Sequence, residues 1–251
     1  MDNWNKQIYC LRYENHSNFK AMKHTFYSQY SQDRSLAVCI FKNHKNGIFM
    51  DVGAHDGLDL NNTLYFETTH NWTGINVEPI KSVYERLVTN RPNCININAA
   101  VFNEDKPVDF IENTGYTEML SGIKSEFCSQ HLARISGENT IKGSISNVIT
   151  VDAKRIETIC DEHNIKNINY LSIDIEGGES NAIRSINFDK LFIDVIGFEN
   201  NYPDSKESKN IVSYLQEKGY ILLPQHIADI FMIHKDSPFF FFVIKIYNKN
   251  I

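Results

Sequence analysis

The sequence predicts an α/β fold built on a doubly wound, mostly parallel sheet, and three observations carry that prediction. Strand-like and helix-like segments alternate from residue 48 to residue 235. Their apolar spacing switches between a period of two and one near 3.6. The first strand runs into a turn punctuated by glycines, "DVGAHDG" at 51–57. Strands separated by helix-length segments form βαβ units, which pair in parallel.

Taken in order, "IFMDV" (48–52) is a strand and "LDLNNTLYFE" (58–67) is helix-like. "TGINVEP" is a second strand, ending on Glu78. The next helix places Ile80, Val83, Tyr84, Leu87 and Val88 on one face. It begins at Pro79, where a missing N–H costs nothing. "CININAAV" (94–101) is a strand, "VDAKRIETICDEHNI" (151–165) a helix and "INYLSIDIE" (168–176) a strand. "ESNAIRSI" is a helix, "FIDVIGFEN" (192–200) a strand, and "SKESKNIVSYLQEKG" a helix closed by Gly219. "YILLP" and "DIFMIHK" complete a seven-stranded sheet. Two regions stand outside this alternation. Residues 1–45 read as an N-terminal helical extension to a single domain at 46–251. Residues 103–147 read as an insertion with one strand, "PVDFI" (107–111), positioned to contact a substrate. The tail "FFFFVIKIY" (239–247) is too short for a membrane span and carries Lys245. It reads as an extra C-terminal strand whose edge can pair two subunits into a homo-oligomer.

The chain has 251 residues, 42% hydrophobic and 22% charged, with a net charge of −6. That is ample material for a core, and it argues against a nucleic-acid partner held by phosphate contacts, which need a basic face. The five cysteines (10, 39, 94, 128 and 160) are scattered without a CxxC pair. A zinc site or disulfide framework is therefore not expected, and reduced thiols point to the cytoplasm. No signal-peptide core opens the sequence.

A strand-to-helix turn with glycines lets backbone approach a ligand closely. A P-loop needs Gly-Lys-Ser/Thr, which does not follow Gly57. A dinucleotide fingerprint needs G-x-G-x-x-G, but His55 and Leu58 occupy the later glycine offsets. Asp-x-Gly-x-x-x-Gly remains, and it suits a nucleoside ligand without phosphates. Glu78 ends the second strand about twenty residues on, where an acid accepts both ribose hydroxyls. That acid suits NAD as well.

This turn resembles motif I of the class I S-adenosylmethionine-dependent methyltransferases. Three segments together resemble the FkbM family of these enzymes: "YSQYSQDRSL" (27–36), "FMDVGAHDG" (50–57 and the residue before) and "YLSIDIEGGE" (170–179). Ser172 stands where the family commonly has lysine. The likeness spans about residues 27–235, leaving out the insertion and the tail. It implies an O-methyltransferase acting on a hydroxyl of a glycan, sugar or related small molecule, with S-adenosylmethionine as cofactor. By position, Gly53, Ala54, His55 and Gly57 would wrap the methionine portion, Asp51 would support the loop and Glu78 would hold the ribose. Pro79, Asn98 and Ala99 would flank the nucleoside, and Gln29 and Asp33 would close over the amino-acid end.

Methyl transfer to a poor hydroxyl nucleophile needs alignment and a proton acceptor, a metal, or both. Asp174 and Glu176 end one strand, and Glu199 and Asn200 end the next, so their oxygens can converge. Asp174, Glu199 and Asn200 form a candidate Mg2+ set of hard donors. Asp174 is the first choice of base without a metal, with Glu176 beside it and His131 and His226 as further candidates. The alternative is that Asp174 touches the cofactor, Glu176 caps the following helix and Glu199 faces solvent. Tyr116, Met119 and Arg134 of the insertion are candidates for the acceptor pocket. Three rival functions differ in kind: an NAD-dependent oxidoreductase, an RNA ribose methyltransferase, and a catalytically silent scaffold of the same fold.

Overall fold

In the computed structural model, the described residues are 26–200, 206–224, 226 and 229–242. Helix α1 (Gln32–Leu36) runs into a wider π-helical turn at Ala37–Phe41. There follow β1 (Ile48–Val52), α2 (Leu64–His70), β2 (Thr73–Val77), α3 (Lys81–Asn90), β3 (Ile95–Ile97) and β4 (Ala100–Val101). The insertion region holds β5 (Lys106–Asn113), a 3-10 turn at Gly115–Leu120, β6 (Gly122–Ile123), α4 (Ser129–Lys142) and β7 (Ser146–Lys154). The chain continues through α5 (Ile156–Glu162), β8 (Asn167–Ile173), α6 (Glu179–Arg184), β9 (Phe192–Glu199), α7 (Lys206–Glu217), β10 (Tyr220–Leu222) and β11 (Asp229–His234).

Seven strands form the main sheet in the order β10-β11-β9-β8-β1-β2-β3. It is parallel across β9, β8, β1, β2 and β3, and β11 runs antiparallel between β9 and β10. Because β1 is central, it is apolar on both faces, as a buried parallel strand must be. Met50 and Val52 pack with Ile156 and Ile159 of α5, Ile183 of α6 and Leu215 of α7. Phe49 packs on the other face with Phe41, Phe66, Trp72, Tyr170 and Phe231. The strand order reverses beside β1, which opens the ligand crevice of such sheets at the carboxyl ends of β1, β2 and β8.

The insertion is not a bare excursion. It forms a second sheet, β4-β7-β5-β6, which packs Phe110, Ile123, Val151 and Ala153 against Ile80 and Val83 at the start of α3. Residues 151–154, expected as helix, belong to β7. Val151 and Ala153 point inward while Thr150 and Asp152 are exposed, so the period there is two, and eight register pairs with β5 override the helical pattern. Residues 58–63, also expected as helix, form a turn that ends where the Asn61 Oδ1 accepts from Thr63 N (3.0 Å) and Leu64 N (2.8 Å), capping α2. Of the tail expected as a strand, the described residues through 242 form a helical turn after Pro238. Phe239 leaves any strand geometry to meet Phe41 and His44 edge-to-face, with ring centroids at 5.0 and 4.9 Å. The rest of that segment, and residues 1–25 of the N-terminal extension, lie outside the described residues. Among the described residues, no helix is long and apolar enough to cross a membrane.

Candidate active site

Gly53 follows β1 at φ +83°, and a Cβ there would sit 1.9 Å from the Asp174 carbonyl oxygen. Only glycine lets the turn press against the end of β8. Gly53 N and Ala54 N both donate to the Val77 carbonyl (3.0 and 3.1 Å), so the turn is laid across the end of β2. His55 takes a left-handed conformation, φ 51°. Its N–H donates to Glu78 Oε2 (3.1 Å), and its Nε2 meets Glu118 Oε1 of the insertion (2.7 Å). Arg86 on α3 also reaches Glu118, so the turn, α3 and the insertion share one polar latch.

Glu78 is 5% exposed. Its Oε1 accepts from Ile80 N (2.8 Å) and its Oε2 from His55 N. Burial pushes its carboxyl up to about 7, although these two N–H groups pull the other way. Each oxygen keeps lone-pair capacity beyond its one backbone donor.

Behind the turn lies an anchor that sequence reasoning missed. Arg91, fully buried, donates to Gly57 O (3.0 Å), Asn61 Oδ1 (3.1 Å) and Thr63 Oγ1 (3.2 Å), and pairs with Glu67. Gly57, φ +78°, is glycine because a Cβ would meet Arg91 Cγ at 2.6 Å, so its role is packing against this arginine. Asp51 accepts from Asn61 Nδ2 (2.9 Å) and Thr63 Oγ1 (2.8 Å). Burial raises its carboxyl, opposed by the nearby Arg91. Through these two bonds Asp51 ties the end of β1 to the segment before α2.

The far end of the site is acidic. Asp174 follows β8 and is exposed to the crevice by surface area, although the protein mass around that crevice desolvates it. Its carboxyl is held well above the usual range by burial and then by Glu176, Asp229, Glu179 and Asp51. Glu176, φ 56°, lies 3.5 Å from His131 Nδ1 and 4.0 Å from Arg134 Nη1, and burial lifts it to about 7. Glu199 at the end of β9 is pushed up to about 10 by burial, with Asp174 and Glu176 adding to it. Glu179, the first residue of α6, reaches back to accept from Ile175 N (3.3 Å) and Gly177 N (3.2 Å), fixing the turn after β8, and neither it nor Glu176 caps the helix by a side-chain hydrogen bond.

One cavity of about 430 Å³ joins these groups. Of the expected cofactor residues, Gln29, Asp51, Gly53, Ala54, His55, Glu78, Pro79, Ala99 and Asp174 line it, as do Glu176, Glu199, Tyr116, Met119 and Arg134. Six expected residues sit elsewhere. Asp33 is clamped by Tyr27 N (2.7 Å) and Ser28 Oγ (2.6 Å), folding the N-terminal turn. Gly57 faces Arg91. Asn98 donates to the Glu78 and Pro79 carbonyls (2.9 Å each), shaping the bend after β2 from behind. His131 stands behind Glu176, its Nε2 on Leu120 O (3.2 Å), and burial lowers its proton affinity. Asn200 Oδ1 is taken by Ser208 Oγ (2.6 Å), so the expected metal set keeps only Asp174 and Glu199 at the cavity. Among the described residues, no group of three or more His, Cys, Asp or Glu is arranged to hold a metal ion. His226 is engaged with Ser35 Oγ (3.3 Å) under α1.

The family described as Methyltransferase FkbM domain matches residues 51–222, well over half of the chain. No curated protein matches it. Among solved structures, fibrillarin from Aeropyrum pernix, in complex with natively bound S-adenosyl-L-methionine, is 12% identical at TM-score 0.44, over 82% of this chain and 74% of that one. A methyltransferase FkbM from Methylobacillus flagellatus KT is also 12% identical at TM-score 0.44, over 76% of this chain and 44% of that one. A TehB-like SAM-dependent methyltransferase from Corynebacterium glutamicum is 8% identical at TM-score 0.41, over 83% and 89%. Likenesses this remote carry no argument about chemistry.

Proposed function

The chain belongs to the FkbM methyltransferase family, whose methyl donor is S-adenosylmethionine, and on that premise we propose that it transfers a methyl group to a hydroxyl of a sugar, glycan or related small molecule. The observation that carries the reading is Glu78. A buried carboxylate ends β2 at the cavity wall, with one backbone N–H on each oxygen and room on each for one hydroxyl of a ribose diol. Ala99, Ala100, Val101, Phe110 and Ile123 supply an apolar wall beside it, suited to an adenine.

The donor supplies a methyl group already activated on a cationic sulfonium. The chain's residues align the acceptor and manage its proton. Asp174 and Glu199, at the neighbouring strand ends, hold raised carboxyls that a cation in the crevice would help to ionise. With a cation beside it, Asp174 ionises more readily and can take the hydroxyl proton, so Asp174 is the proposed base. Glu176, held from behind by His131 and beside Arg134, orients the acceptor side. With Asn200 turned to Ser208, the reading needs no metal. The acidic side chains Glu138, Glu176 and Glu199 line the acceptor side with Arg134, while Glu118 is paired with Arg86 and His55, a balance that does not favour phosphate-rich acceptors such as RNA. We assign the chain to the cytoplasm, where thiols such as those of Cys94, Cys128 and Cys160 stay reduced.

Calorimetry with S-adenosylhomocysteine and with NAD+ tests the donor. Tight NAD+ binding without S-adenosylhomocysteine binding would end the proposal. Screening sugars and glycans for labelled methyl incorporation then identifies the acceptor.

A further inference from the structure

Four large apolar side chains that line the cavity are exposed: Tyr30, Leu60, Tyr116 and Met119. They come from three separate segments, the turn before α1, the turn before α2 and the 3-10 turn of the insertion. Each is held out by anchored neighbours. Three residues per turn put Tyr116 and Met119 on one face of the 3-10 turn. Between them, Thr117 Oγ1 donates to Asn139 Oδ1 (2.6 Å), and Glu118 is paired with Arg86 and His55. The turn is pinned, yet Tyr116 is 65% exposed. Leu60 sits at φ 54°, a left-handed conformation costly for a leucine, between Gly57 and Asn61, which Arg91 anchors. Tyr30 N donates to Gln32 Oε1 (2.8 Å), and Gln32 Nε2 donates to the buried Asp229 (2.8 Å).

Single exposed apolar residues are ordinary, but four converging from three segments on one cavity mark a binding surface. The donor does not use it. Its adenine has the buried wall of Ala99, Ala100, Val101, Phe110 and Ile123, and the rest of it is charged or polar. A bare sugar does not use it either. Its hydroxyls suit the carboxyls of Asp174, Glu176 and Glu199, and a hydroxyl-covered ring gains little from leucine and methionine. What the surface fits is an apolar group joined to the sugar, left at the cavity mouth when the reacting hydroxyl reaches Asp174.

Resting on the proposed methyl transfer to a sugar hydroxyl, we propose that the acceptor is a glycoside with an apolar aglycone, which Tyr30, Leu60, Tyr116 and Met119 hold at the cavity mouth. Tyr116 is the main specificity-determining contact, with Leu60 and Met119 flanking it. Lys142 Nζ, 4.6 Å from the ring centroid, steadies Tyr116 from one side. The backbone strain at Leu60 is retained because it places an apolar side chain at this surface.

The test is initial rates of the full chain with methyl and phenyl glycosides of glucose, galactose, mannose, fucose and rhamnose. For each sugar that is methylated, the phenyl glycoside should show a KM about tenfold or more below its methyl counterpart, from partial burial of the phenyl ring. Tyr116→Ser should shrink that preference to about threefold or less while S-adenosylhomocysteine affinity stays within about twofold. Tyr116→Phe should keep the preference. Leu60→Asn puts a residue tolerant of the left-handed backbone in place of leucine, so it should lower the preference without lowering Tm. Should Tyr116→Ser not fold, Leu60→Asn decides alone. Equal KM values within every methylated pair, or full preference kept in both variants, overturns the proposal while the sugar reading stands. Variants that alter dimer content by light scattering and keep the preference assign the surface to a second copy of the chain, which also overturns it. Binding of S-adenosylhomocysteine with no glycoside methylated refutes the sugar reading itself, a separate failure.

Discussion

Glu78→Gln probes the site most directly, because the carboxylate performs two tasks with four lone-pair positions. In the native protein, Ile80 N and His55 N occupy one position on each oxygen. The amide has one oxygen, so one of those N–H groups must face an NH2, and one ribose hydroxyl loses its charged acceptor. A hydrogen bond to a charged group contributes about 1.5–3 kcal/mol, so affinity for S-adenosylhomocysteine should fall by roughly 10- to 150-fold. The measurement is isothermal titration at pH 8, where a carboxyl pushed up to about 7 is mostly ionised. If only the ionised form binds, native affinity should weaken about tenfold between pH 8 and pH 6. A 2′-deoxy analogue should be penalised in the native protein and much less in the variant, as coupled partners require. Unchanged affinity in Glu78→Gln, or an equal deoxy penalty in both proteins, would show that the ribose does not lie on Glu78.

Three further outcomes follow from the same geometry. Asp174→Asn should lower turnover by about 10²–10⁴ while donor binding persists, and EDTA should leave native turnover within twofold. Chelator loss restored by Mg2+ would instead favour a metal held by Asp174 and Glu199. Gly53→Ala should lose at least about 1–2 kcal/mol from the left-handed backbone alone, with a further clash at 1.9 Å from the Asp174 carbonyl, read as a fall in Tm and in donor binding. The protein without ligand should be more stable at pH 6.5 than at pH 8. Glu78 and Glu176 titrate near 7 when folded against about 4.5 when unfolded, so the folded state holds more protons in that window and loses stability as pH rises, by about 1 kcal/mol for Glu78. A rising Tm from pH 6.5 to 8 would contradict the burial assigned to these carboxylates.

Sequence alone determined the alternation of strands and helices, the seven-stranded sheet, and the turn that follows β1. These depend on local periodicity and on glycine and proline chemistry, which adjacent residues carry. The glutamate ending β2 and the acids ending β8 and β9 were legible for the same reason, since strand ends of a parallel sheet open on one edge. Residues 151–154 were not, because their pattern fits both periods and only pairing with β5 chose the strand. The tail turned away from strand geometry because the pocket formed by Phe41 and His44 captures Phe239, a contact two hundred residues distant in sequence. Gly57, Asp33, Asn98, His131 and Asn200 have the right residue types, but their side chains meet partners that no spacing announces. Arg91 was invisible for the converse reason. A buried arginine carries no periodic signal, and its meaning lies wholly in which polar atoms the folded chain brings within reach. Local chemistry set where a nucleoside would lie, whereas the orientation of side chains from separate elements, decided by packing, set which groups can touch it.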